Sequence, residues 1–98
     1  MIETPYTEKI HYKKINFELA IAHKDFLRAN ELENELSVLY LIESLVFSES
    51  IEEMEKVKKK KWGSKSGIEK TILELREKYT QINSEWKEVQ KMRKDYSN

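Results

Sequence analysis

Residues of the types that do chemistry are scattered in this chain, and their spacing builds little. His11 and His23 stand twelve residues apart. On a helix that is three turns and a fraction, so they cannot grip one metal ion as an i, i+4 pair does, and no His-Glu spacing of the zinc-protease kind occurs. With no cysteine there is neither a disulfide framework nor a thiolate metal site. Glu31, Glu33, Glu35 and Glu52, Glu53, Glu55 read as solvated helix faces. Glu43 is different, because it stands among Leu41, Ile42, Leu45 and Val46. Such a carboxylate is expected either on a narrow exposed face or paired with a cation such as Arg76 or Arg93. A lone acid without a nucleophile, a base or a Gly-rich loop is not an active site. The expectation is therefore a non-enzymatic protein with no cofactor, no metal and no small-molecule substrate.

The most suggestive chemical feature is cationic. Lys56, Lys58, Lys59, Lys60, Lys61 and Lys65 lie within ten residues, with Trp62 among them. Such a run can neutralise phosphates while the indole stacks on a base, and the released counterions supply nonspecific affinity. It can equally meet an acidic protein or anionic lipid, or simply solvate a helix end, where cations are favoured in any case. The formal net charge is zero, which weakens the polyanion reading. That zero conceals a split: residues 1–55 hold 5 basic and 12 acidic side chains, residues 56–98 hold 13 and 6. In an antiparallel hairpin the halves would face one another with complementary fields.

The elements that must carry these residues are helices. Two glycines, one proline and 37% charged residues in 98 positions favour long helices within a single domain. The clearest lies at the C-terminal end: Ile68, Ile72, Leu75, Tyr79, Ile82, Trp86, Val89 and Tyr96 follow alternating steps of four and three, with only Arg93 breaking the series. This is a heptad with Ile72, Tyr79, Trp86 and Arg93 at a, and the others at d. Ser66 and Glu69 form a capping box that opens it, directly after the turn at Trp62-Gly63-Ser64-Lys65. At the other end Thr4-Pro5 reads as a helix start, followed by a stripe at Tyr12, Ile15, Leu19, Ala22, Phe26 and Ala29, widened by Ile10, Phe17 and Ile21.

Between them the phase is ambiguous. A turn or kink is expected around residues 28–31. Continuing the first stripe lands on Glu33, Leu36, Tyr40, Glu43 and Phe47, whereas Leu32, Leu36, Leu39, Ile42 and Val46 form a more apolar set. Val38 to Ile42 are consecutive apolar residues, so this helix is hydrophobic nearly all round, which suits burial on two sides or an oligomer interface. Ser50 and Glu53 match a further capping box, although one long helix with a polar patch is the competing reading. The apolar run is too short to span a bilayer, and no basic region followed by an apolar run opens the chain. A soluble, cytoplasmic protein is expected.

The length, helical character and mid-chain Trp62-Gly63 resemble, in layout alone, the small helical-hairpin family of type VII secretion and its targeting partners. That family carries Trp-x-Gly, whereas Gly63 follows Trp62 directly here, and no Tyr-x-x-x-Asp/Glu export signal follows Tyr96. The resemblance implies a helical-hairpin secretion partner or chaperone. Small helical proteins of phages and mobile elements, which bind and inhibit or derepress a host protein, share the composition.

The expected fold is all-α: helices near 5–29, 31–61 and 66–96 in an elongated antiparallel three-helix bundle, or one long helix from 5 to 61 hairpinned on the last and able to dimerise. The expected function is protein–protein interaction, as adaptor, inhibitor or co-folding partner, through Leu36, Tyr40, Phe47, Tyr79 and Trp86. The partner would be another protein or a second copy. The alternative is a nucleic-acid-binding accessory using Lys58 to Trp62.

Overall fold

The computed structural model describes residues 4–60, 63 and 65–97, and side chains as far as Asp95. They form helices α1 (Thr7–Ala22), α2 (Phe26–Lys60) and α3 (Ser66–Ser97). α2 packs against both α1 and α3, giving an elongated three-helix bundle. Its long axis measures 57 Å, close to the ~52 Å that 35 residues of α-helix span at 1.5 Å each.

α1 begins two residues later than Thr4-Pro5 alone predicts. The Thr4 hydroxyl accepts the Tyr6 amide at 3.2 Å, and the Thr4 carbonyl accepts the Thr7 amide at 3.2 Å. Its end departs further from expectation. α1 stops at Ala22, and the turn lies at residues 23–25, not around 28–31. The Lys24 amide donates to the Ile21 carbonyl at 3.0 Å and the Asp25 amide to the Ala20 carbonyl at 2.8 Å, the paired bonds of a Schellman motif. Lys24 occupies the left-handed position at φ 59°, where glycine is usual. The Asp25 carboxylate then accepts the Arg28 amide at 3.2 Å and caps α2. This turn rules out a single helix from 5 to 61.

α2 runs through Ser48, Glu49 and Ser50 without a break, so the Ser50–Glu53 pair opens no new helix. α3 carries the heptad as read. Ile68, Ile72, Leu75, Ile82 and Val89 are buried, Trp86 is half-buried, and Tyr79 is at the margin. The side chain of Tyr96 lies outside the described residues.

The phases of α1 and α2 are the main correction. In α1 the buried residues are Ile10, Phe17 and Ala20, while Tyr12, Ile15 and Leu19 face solvent. In α2 the core takes Glu33, Leu36, Tyr40, Glu43 and Phe47, the less apolar of the two candidate sets, with Ala29 and Ser44; of the more apolar set only Leu32, besides the shared Leu36, is buried, while Leu39 and Ile42 are half-buried and Val46 is exposed. The physical reason is that both carboxylates find polar partners. Glu33 lies 3.3 Å from the Arg93 guanidinium, and Glu43 accepts the Thr7 hydroxyl at 3.0 Å. A paired acid is tolerated where an isolated one is not.

Candidate interaction surface

The helices meet in an antiparallel arrangement recorded by their polar contacts. Thr7 opposite Glu43 and Lys13 opposite Glu35 set α1 along the first half of α2. Arg93 with Glu33, Asn83 with Ser44, Arg76 with Glu55 and Lys58 with Glu69 set α3 along its whole length. Because α1 is only 16 residues, ~24 Å at 1.5 Å each, it covers one half of the α2–α3 hairpin. In the other half Ile51 and Met54 of α2 are half-buried and Ile68, Ile72 and Leu75 of α3 are buried, the apolar positions of a two-helix seam. Of the acidic first half, Glu33 and Glu55 pair with cations of the basic second half. The Lys13 ammonium, bonded at 2.7 Å, holds the Glu35 carboxyl below its usual range.

Leu36, Tyr40 and Phe47, expected at a docking surface, lie wholly in the core. Tyr40 stacks on Trp86 with ring centroids 6.3 Å apart, and the Trp86 indole N–H donates to the Ser37 hydroxyl at 3.3 Å. Trp86 is thus a core-edge residue, and Tyr79, at 37% exposure, is the member of the expected set that solvent reaches most. Burial pushes the Tyr40 phenol well above its ordinary value, and the nearby Glu85, Glu88, Glu43 and Glu18 carboxylates act in the same direction.

His11 and His23 are exposed, and among the described residues no group of three or more His, Asp or Glu is arranged to hold a metal ion. Where the three helices meet, a cleft of about 240 Å³ is lined by Thr7, His11, Lys14, Glu43, Lys78 and Glu85 among others. Its carboxylates and cations offset one another. Of the basic run, Lys58 is bridged to Glu69 at 3.3 Å, Lys59 and Lys60 end α2 exposed, and Lys65 is half-buried. Lys61 and Trp62 lie outside the described residues.

What the interaction set missed is the outer face of α2. Val38, Leu41 and Leu45 are 58%, 49% and 54% exposed, and Leu27 on the same face is 76% exposed. At about 100° per residue, Leu45 stands half a turn round from Leu36, so the two cannot share a core. α1 repeats the pattern: Leu19 stands half a turn round from buried Ile10, within the exposed stripe Tyr12, Ile15, Leu19. The signal was present in the sequence as the consecutive run Val38 to Ile42, which no one-sided helix needs. Among the described residues, no helix is long and apolar enough to cross a membrane.

No family model matches the chain, and no curated protein or solved structure is significantly similar to it.

Proposed function

We propose that this protein is a helical interaction module that works by presenting the apolar outer faces of α1 and α2 to another macromolecule. The observation that carries this reading is the second stripe of α2. Val38, Leu41 and Leu45 stay about half exposed on the side of the helix away from the core. Folding gains little from apolar residues left in water, and each raises the hazard of aggregation. With Tyr12, Ile15 and Leu19 exposed on α1, the chain displays two such stripes. That arrangement suits an adaptor, an inhibitor or a co-folding partner. The nucleic-acid alternative has weaker support, because Lys58 and Lys56 are engaged by Glu69 and Glu53.

The test is a triple substitution, Val38→Ser, Leu41→Ser and Leu45→Ser, compared with the parent. Helicity and unfolding midpoint should hardly change, while a protein that the parent retains from its native lysate should no longer be retained. An identical set of retained proteins for both would remove the reading.

A further inference from the structure

From the charge around the α2 stripe we infer that its occupant is a basic amphipathic helix and not a second copy of this chain. The inference rests on the interaction reading above and names its partner class. Residues seven apart on α2 form two rows on the outer face. One row is Glu31, Val38, Leu45, Glu52 and Lys59; the other is Leu27, Asn34 and Leu41, passing to half-buried Ser48 and Glu55. The apolar centre is therefore bracketed within its own row by a carboxylate at each end. Glu49 and Glu53 add further negative charge at the C-terminal end, and Glu31, Glu49, Glu52 and Glu53 are all exposed. Arg28 lies at the margin of this face and Lys56 on it, one turn beyond Glu52; they already face Glu31 and Glu53 within the helix, and exposed Lys59 and Lys60 follow only at its end.

This frame selects against self-pairing in either direction. An antiparallel pair of α2 helices centred on Leu41 and its neighbours sets Glu31 against Glu52 of the copy. A parallel pair in register sets each of these against itself. Like charges flanking a helical seam oppose association, and opposite charges steer it and fix its register. A helix with Leu or Ile at a and d and Lys or Arg beside them satisfies the apolar centre and both acidic ends. The fit is helix-on-helix docking, with side chains at i, i+3, i+4 and i+7 as anchors.

The probe is a pair of designed helical peptides of equal length with the same Leu/Ile seam, one flanked by lysines and the other by glutamates. Binding to the intact protein is followed by fluorescence anisotropy, alongside sedimentation of the protein alone. The lysine-flanked peptide should bind at least about tenfold more tightly. That advantage should shrink as salt screens the flanks, and Glu31→Gln with Glu52→Gln should remove most of it. The Val38→Ser, Leu41→Ser, Leu45→Ser protein should bind neither peptide. Equal binding of both peptides, or a preference for the glutamate one, overturns the basic-helix assignment while leaving the interaction reading intact. A dimer of the parent that the triple substitution dissolves does the same, by naming the second copy as occupant. If the triple substitution leaves peptide binding, sedimentation and lysate capture unchanged, both readings fail.

Discussion

Leu36 and Leu41 sit on the same helix and would undergo the same chemical change on truncation to alanine, yet the fold predicts very different costs. Leu36 is 0% exposed, one turn before the equally buried Tyr40, and Leu41 is 49% exposed. Leu36→Ala removes buried carbons worth ~0.8 kcal/mol per methylene and leaves a cavity, for a total of about 3–4 kcal/mol. Leu41→Ala loses a contact already shared with water, and alanine returns ~0.2 kcal/mol of helix propensity, so its net cost stays below about 1 kcal/mol. Propensity is common to both variants, so the difference reports burial alone. For a domain whose whole stability is ~5–15 kcal/mol, the first change is severe. It should lower the melting temperature by roughly 12–30 °C, while the second should barely move it. Urea unfolding followed by helical circular dichroism at several protein concentrations measures both. Equal costs, or a larger cost at Leu41, would refute the assigned phase of α2. A cost at Leu41 that grows with protein concentration would instead mean that a second copy buries the outer stripe.

Other consequences are accessible by the same assay. Lys24→Gly should stabilise by a few tenths to about 1 kcal/mol, since the left-handed strain relieved exceeds the chain entropy gained on unfolding, whereas Lys24→Val should destabilise; the reverse order would contradict the turn geometry at φ 59°. Arg93→Ala should cost about 1–2 kcal/mol by leaving the buried Glu33 without this cation, discounted because the guanidinium is 45% exposed; no loss would show the pair is idle. Tyr40→Phe should be neutral or slightly stabilising near neutrality, because the buried hydroxyl has no hydrogen-bond partner among the described residues. The folded-state value of this phenol lies above its ordinary value of 10.0, so its neutral form is favoured by folding. The stability it contributes is complete below about pH 10 and is lost as pH rises beyond that. The parent should therefore weaken more than Tyr40→Phe in alkali, and a Tyr40 that ionises normally in the folded protein, seen by ultraviolet absorbance, would contradict this.

Much of the architecture was legible in the residues. The heptad of α3 needed no tertiary information, because Ile68, Ile72, Leu75, Ile82 and Val89 form one narrow apolar stripe on an otherwise polar helix. The boundary before Ser66 was equally plain from Gly63 and the lysines that precede it. The turn at residues 23–25 was harder to see. Its left-handed residue is a lysine, and its cap, Asp25, announces itself only once α1 has been ended at Ala22.

What sequence by itself determined is that this chain is helical, that its last helix carries one apolar stripe, and that its middle helix carries more than it needs. Which of the competing stripes on α1 and α2 becomes the core was decided by the tertiary structure alone. Hydrophobicity favours Leu39, Ile42 and Val46 over Glu33, Tyr40 and Glu43, and no local rule can reverse that. The reversal comes from residues distant in the chain. Arg93 lies sixty positions beyond Glu33 and Thr7 thirty-six before Glu43, and together they make both carboxylates tolerable inside. With those acids accommodated, Trp86 can stack on Tyr40, and Val38, Leu41 and Leu45 are turned outward.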